Sequence, residues 1–501
     1  MSKYDVDPAV TADNHPPQPV NAPRSWPANP ITLLAKPTKA QYLTFLASWL
    51  AWTADAFDFF AVSLNVSSIA KTFNKSNSDI TLAITLTLLF RSVGAIIFGL
   101  AGDRWGRKWP MVVDIVLFGL LSMATGFCKS FSAFLAIRSL YGIALGGIYG
   151  CAASVALENL PHECRGLFSG ILQQGYAMGY LIAAALNLAI VDNSPHGWRA
   201  IFWFSIGPAI LVAIFRAWLP DEDKIKRDKL VEMGAHIPTS EERGKAFSAE
   251  LKYVFKNHWI RLIHAVLLMA GFNFMSHGTQ DLYPTFLKVQ LGYSPDIVTA
   301  VTCIFNFGAI VGGTFAGYYS QAFGRRLTII VLCVCGGALI PLWFLPKDWR
   351  VLAVGAFWLQ FCVQGAWGVI PVHLNEISPS FSLRAAFVGI SYQLGNAASS
   401  ASSTIEARLG EHIQTTLNGK AVPNYGKVQA LFAGCVFAFV IIMTAISPEY
   451  RGAAFENTVN IRDEAKVAGA GGENSLKDGD VEMASIGKME MAHVERMNSR
   501  E

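Results

Sequence analysis

The sequence predicts an all-α membrane protein whose twelve transmembrane helices form two pseudo-symmetric six-helix bundles. Composition is the first reason. Of 501 residues, 52% are hydrophobic and only 15% charged, and the apolar ones are gathered in runs near or above the about 20 residues that a helix needs to cross a bilayer. The number of runs is the second: they fall at 44–70, 79–101, 110–128, 131–157, 167–191, 199–219, 259–287, 296–319, 327–345, 350–374, 385–407 and 427–447. The third is an internal repeat. Glu158 and Glu376 stand 218 residues apart, as do Pro161 and Pro379, while Arg165 and Arg384 differ by 219, so the two halves share one plan.

In chain order, residues 1–40 hold Pro8, Pro16, Pro17, Pro19, Pro23, Pro27, Pro30 and Pro37 and read as a disordered tail. No charged stub and cleavage site precede the first span, so no cleavable signal is expected. Residues 41–220 form the first bundle. Its first span carries Asp55 and Asp58, its second Arg91 and its fourth Arg138. A charge at a helix centre costs about 2.5–3.5 kcal/mol on insertion scales, so each needs a reason. The repeat offset carries Asp55 and Asp58 onto Asn273 and Ser276, and both clusters are expected to face one central cavity. The two carboxylates belong either to a proton relay or to ion pairs with Arg91 or Arg138. In the fifth span, Gln173-Gln174 is an amide pair suited to hydroxyl groups.

The loop after the second span reads Gly99-Leu-Ala-Gly102-Asp103-Arg104-Trp-Gly106-Arg107-Lys108, and its counterpart after the eighth reads Gly317-Tyr-Tyr-Ser-Gln321-Ala-Phe-Gly324-Arg325-Arg326. Glycine permits the tight turn and close helix approach, and an Asp103–Arg107 pair can bridge neighbouring helices and break as the halves rock. Between the bundles, residues 221–257 carry Lys224, Lys226, Arg227, Lys229, Arg243, Lys245, Lys252 and Lys256, which the positive-inside rule places in the cytoplasm. With an even number of spans, both termini are then expected there. The net charge of +4 gives no reason to expect nucleic acid as a partner.

The second bundle, residues 258–448, holds the most polar run of any span: Asn273-Phe-Met-Ser276-His277-Gly278-Thr279-Gln280-Asp281-Leu-Tyr-Pro284-Thr285. At about 100° per residue, Asn273, His277, Gln280 and Asp281 share one stripe, so an amide, an imidazole, a second amide and a carboxylate face the same way. In the eleventh span Gln393 and Asn396 share a face, and the small residues from Ala397 to Ser403 read as close helix packing. Residues 449–501, rich in charge, Gly and Ser, read as a second disordered tail. Cys128, Cys151, Cys164, Cys303, Cys333, Cys335, Cys362 and Cys435 lack metal-ligand spacing and are expected as packing residues, with no metal and no cofactor. No nucleophile and base pair or phosphate loop is placed for chemistry, so no enzyme is expected.

The Gly99–Lys108 loop resembles the motif that members of the major facilitator superfamily carry between helices two and three, with a degraded copy between eight and nine. The resemblance implies the major facilitator fold and a gating role for Gly99, Asp103, Arg104, Gly106, Arg107 and Lys108. Gln321 departs from the pattern, standing where an acid would bridge. The cluster in the seventh span narrows the resemblance. Asn273, Ser276, His277, Thr279, Gln280, Asp281 and Thr285, with the spacing at Gly278, are similar to the signature of the fungal Jen-type carboxylate/proton symporters, and the likeness runs from about residue 40 to 450.

That likeness implies a multi-pass symporter of the plasma membrane that imports lactate, pyruvate or acetate with protons, or dicarboxylates such as succinate and malate in a sister branch. It implies a substrate and proton path through Asn273, His277, Gln280 and Asp281, with Gln393 and Asn396 beside it. Imidazole suits proton exchange, and amides suit carboxylate and hydroxyl oxygens. Asp55 and Asp58 are candidates to join His277 and Asp281 in proton coupling. A guanidinium binds carboxylate through two parallel bonds, and the likeness favours Arg138 for that role over Arg91. The expected partners are thus a small carboxylate, protons and the bilayer, with the protein acting as a monomer. A sugar-acid porter and a non-transporting nutrient sensor are the other classes that the fold would suit.

Overall fold

Inside a bilayer every backbone N–H and C=O must find its partner within the segment, and the chain meets that demand with helix almost throughout. The computed structural model describes residues 26–191, 193–221, 224, 240–380, 382–417 and 420–450. The chain divides into a unit of residues 1–221 and 247–455, which holds all the membrane helices, and a second unit of residues 222–246 and 456–501. Most of the second unit and of both expected tails lies outside the described residues, as do residues 222–223 and 225–239 of the basic central segment, whose remainder forms a helix, Ser240–Asn257.

The membrane helices are α1 (Lys39–Phe73), α2 (Asn77–Trp105), α3 (Lys108–Gly126), α4 (Phe131–Leu145 and Ile148–Glu158), α5 (Arg165–Gln173 and Gly175–Leu186) and α6 (Arg199–Trp218) in the first half. In the second they are α7 (Trp259–Gln280, continued by Tyr283–Thr285 and Phe286–Gln290), α8 (Pro295–Phe323), α9 (Arg325–Phe344), α10 (Trp349–Ile377), α11 (Arg384–Ser399 and Ser402–His412) and α12 (Tyr425–Ile446). Among the described residues, 11 of these are long and apolar enough to cross a membrane on composition alone. The exception is α11. The run of small residues from Ala397 to Ser403, expected as close packing, is where this helix breaks: the hydroxyls of Ser399 and Ser400 donate to the carbonyls of Asn396 and Ala397 at 2.9 and 2.8 Å, offering the backbone an alternative to continued helix.

The repeat read in the sequence recurs as contacts. Arg107 pairs with Glu158, and 218 residues later Arg325 pairs with Glu376 through two bonds of 3.0 Å. Gly94 packs against Ile143 and Gly312 against Phe361, the same crossing in each half, where any side chain would collide with the facing backbone. The turn glycines Gly106 and Gly324 have φ of 94° and 97°, a region that only glycine adopts freely. Between the halves, α2 packs along α11 and α5 along α8.

Two features depart from the sequence expectation. Residues 26–40, expected as the end of a disordered tail, include a short helix, Pro30–Ala35, capped by Asn29 and with Leu33 buried. The Cys164 thiol donates to Leu33 O at 3.3 Å, Lys36 pairs with Glu163, and the Tyr318 hydroxyl donates to Ala28 O at 3.1 Å. A single buried leucine between prolines leaves no periodic signal. The second is an antiparallel hairpin, Gln414–Leu417 with Lys420–Pro423, between α11 and α12. Of the eight cysteines, all free, Cys303, Cys335 and Cys435 are exposed on the bundle and the other five are buried.

Candidate functional site: a polar cavity between the halves

Six helices, three from each half, meet around a narrow central cavity. From the first half come Phe59 on α1, Leu88 and Arg91 on α2, and Gln173 and Tyr176 on α5; from the second come Asn273, Ser276 and His277 on α7, Gln364 and Trp367 on α10, and Tyr392 and Asn396 on α11. Seven of these twelve residues are polar or charged and five aromatic or apolar, so hydrogen-bonding groups converge between ring faces, as suits a small polar solute. Trp367 and Tyr392 meet edge to face at 5.8 Å, and Tyr392 stacks on Tyr149 at 3.9 Å.

The seventh-span stripe is split by its surroundings. His277 Nδ1 lies 3.1 Å from Asp281 Oδ2, and its Nε2 lies 3.4 Å from Asn396 Oδ1. Asn273 donates to its own helix at Met269 O, 2.9 Å away, leaving its carbonyl free of that bond. Gln364 donates to Ser276 Oγ at 3.2 Å. Gln280, by contrast, turns to α10 and donates to Gln360 Oε1 at 3.0 Å, away from the cavity lining. The α-helix proper ends at Gln280, directly before Asp281, so the imidazole and carboxylate stand at a break in α7. On α11, Asn396 lines the cavity and donates to Gln393 Oε1 at 3.4 Å, while Gln393 is buried behind it.

The four charges that the sequence singled out in the first half form two pairs. Arg91 bonds Asp55, and Arg138 bonds Asp58 at 3.0 Å while its guanidinium lies 3.9 Å over the Tyr141 ring. Asp58 also accepts from the Ser122 hydroxyl. Only one of the two arginines lines the cavity, and it is Arg91; its Nε has no hydrogen-bond partner. Arg138, favoured from the sequence, lies in the packed core of the first half instead. Asp55 and Asp58 are likewise behind the lining residues. Both outcomes follow from pairing, since each of these four charges is held where its counter-charge is.

At the end of the bundle that carries the repeated loops, the halves are tied together. Asp103, its side chain wholly buried, accepts from Arg107 at 3.1 Å and from the backbone N–H groups of Ala385 and Ala386 at 3.1 and 2.8 Å, the free N–H groups at the start of α11. Arg384 donates to Glu158 at 2.8 Å, and Ser154 to Asn375 at 3.2 Å. In the second copy Gln321 replaces the acid but keeps the acceptor: Arg325 Nη2 donates to its Oε1 at 2.8 Å. Arg104 and Lys108 instead lie over the rings of Trp105 and Trp109.

Two six-helix halves closed at one end around a central polar cavity define a membrane transporter of the major facilitator fold. The chain belongs to the sugar (and other) transporter family, which matches residues 28–461. It is 36% identical over 441 residues, 85% of this chain and 71% of the relative, to a carboxylic acid transporter protein homolog of Saccharomyces cerevisiae. A probable 4-methylmuconolactone transporter of Cupriavidus pinatubonensis is 25% identical over 83% of this chain and 92% of its own. Among solved structures, the proton:xylose symporter XylE bound to 6-bromo-6-deoxy-D-glucose superposes with a TM-score of 0.65 at 18% identity, covering 82% of this chain and 97% of that one. The protein is a transporter of small organic substrates in the membrane, not an enzyme.

Proposed function

We propose that the protein is a proton-coupled symporter that imports small monocarboxylates, of the size of lactate, pyruvate or acetate, by alternating access across the plasma membrane with both termini in the cytoplasm. The observation that carries this reading is the single guanidinium among the described cavity-lining residues, Arg91, one face of which is held by Asp55 while Nε is unpartnered. One guanidinium matches one carboxylate. Asn273, Gln173 and Asn396 supply amide groups for a hydroxyl or keto oxygen, and the His277–Asp281 pair is a proton acceptor within reach. Gln393, which accepts from Asn396 at 3.4 Å, supports that amide from behind. The similarity to a yeast carboxylic acid transporter homologue favours an organic acid over a sugar.

One proton carried with one monocarboxylate moves no net charge. A membrane potential, worth about 2.3 kcal/mol per charge per 100 mV, then drives no accumulation, whereas a pH difference drives it at about 1.4 kcal/mol per unit and proton. Purified protein in liposomes, given labelled lactate or succinate, is tested first with an inward proton gradient and then with a potassium diffusion potential at equal pH. Lactate accumulation driven by the gradient alone is expected. Accumulation driven by the potential overturns one-to-one coupling, and preference for succinate moves the reading to dicarboxylates. His277→Ala is expected to abolish gradient-driven uptake while the protein still reaches the membrane.

A further inference from the structure

Glu406 lies in the second segment of α11, beyond the break at Ser400–Ala401. It is fully buried. Its Oε2 has no hydrogen-bond partner, and its Oε1 has only the Ser402 hydroxyl at 3.5 Å. Asp55, Asp58, Asp103, Glu158 and Glu376 each hold an arginine; among the described residues Glu406 holds no cation. Removing an unpaired carboxylate charge from water is costly, and such groups inside membrane proteins serve in proton paths.

Its position gives it something to exchange with. A methyl group on Gly278 would come within 2.8 Å of Glu406 Oε1, so the carboxyl rests against α7 at the residue that follows His277. The breaks in α7 and α11 thus bring three protonatable side chains, His277, Asp281 and Glu406, to one place. Those facing Glu406 are Asp281 and, through its contact with Asp281, His277; from α12 the neutral, buried Gln429 stands beside it. Asp281 is about a third exposed, 35% for its side chain.

We propose that Glu406 is a second proton-carrying group of the transport cycle, exchanging its proton with Asp281 and through it with His277. The proposal rests on the proton-coupled reading above. Each step moves one proton from an O–H or N–H to an oxygen or nitrogen lone pair. A proton taken by Asp281 from the medium passes to Glu406 or to His277 Nδ1, and the donor is left ready for the next.

Glu406→Gln keeps the shape and removes the titration. In liposomes at equal internal and external pH, exchange of labelled for unlabelled lactate is expected to persist. Under a gradient of one pH unit the parent is expected to accumulate lactate about tenfold per proton carried, and Glu406→Gln not at all. Glu406→Asp is expected to regain part of the accumulation with a displaced pH profile. Accumulation by Glu406→Gln equal to the parent's overturns the proposal while leaving the symport reading intact; a parent that ignores the pH gradient overturns the symport reading itself. Should Glu406→Gln fail to assemble, the pH profile of Glu406→Asp decides, and an unchanged profile overturns the proposal.

Discussion

The two halves are built on one plan but charged differently. The 218-residue offset takes Asp55 to Asn273, Asp58 to Ser276, Arg91 to Ala309 and Arg138 to Ala356. The first half thus holds two buried ion pairs where the second holds amide, hydroxyl and methyl groups. At these four positions acid and base are present together or absent together. Removing one partner of a buried pair strands the other, at a cost of about 3–5 kcal/mol, while replacing both is often neutral. The comparison teaches that the first half supplies fixed charge and the second supplies groups that titrate or hydrogen-bond, with the cavity between them.

The sharpest way to break that comparison is to convert one half's pattern into the other's. Arg138→Ala alone leaves Asp58 unpaired and is expected to lower stability by about 3–5 kcal/mol, seen as a large drop in the temperature at which detergent-solubilised protein aggregates. Asp58→Ser with Arg138→Ala, which reproduces the second half's Ser276 and Ala356, is expected to recover most of the loss. A double variant as unstable as the single one removes pairing as the reason for these charges.

Next in size is the division of labour between the two arginines. Arg91→Lys keeps a positive charge but loses the fork that binds carboxylate through two bonds. Its apparent lactate affinity is expected to fall by a factor of about ten or more, on the scale of one charge-assisted hydrogen bond of about 1.5–3 kcal/mol. Arg138→Lys, behind the cavity wall, is expected to bind lactate within a few-fold of the parent. Equilibrium binding measured on both variants sharpens the contrast, and the reverse outcome makes Arg138 the anion's partner.

The sequence made much of this legible. Apolar runs located all twelve spans, α11 at 385–407 included, because a lipid span demands an unbroken stretch; the 218-residue repeat marked Glu158 and Glu376 as equivalent positions, and the structure adds that they pair with Arg107 and Arg325. At His277, Asp281 and Asn396, polar residues in a membrane helix were signal enough. What stayed hidden depends on which neighbour a side chain turns to. Helical periodicity puts Gln280 on the His277 stripe, yet Gln360 draws it to α10. Arg91 and Arg138 look alike in sequence, and only the packing of α2 and α4 sends one to the cavity. Glu406, near the end of the run at 385–407, escaped notice because its burial depends on how α11 continues beyond the break at its serines.

The smallest expected effect separates the two loop copies. Asp103 is an ionisable acceptor for two backbone N–H groups of the opposite half, Ala385 and Ala386, whereas Gln321 chiefly accepts from Arg325 of its own half and reaches across only through Nε2 to His162 O at 3.5 Å. Hydrogen bonds to charged groups contribute about 1.5–3 kcal/mol and neutral ones about 0.5–1.5. Asp103→Asn, which turns charged hydrogen bonds into neutral ones at a cost of about 1 kcal/mol, is therefore expected to weaken closure at this end by a factor of about five, and Gln321→Ala by less, because Arg325 keeps its two bonds to Glu376. The measure is the labelling rate of a cysteine placed at Ser154, which lies between the halves against Asn375, in a background lacking the native cysteines. Equal labelling in both variants makes the copies equivalent locks, and the substitution of an amide for the acid then carries no difference in gating.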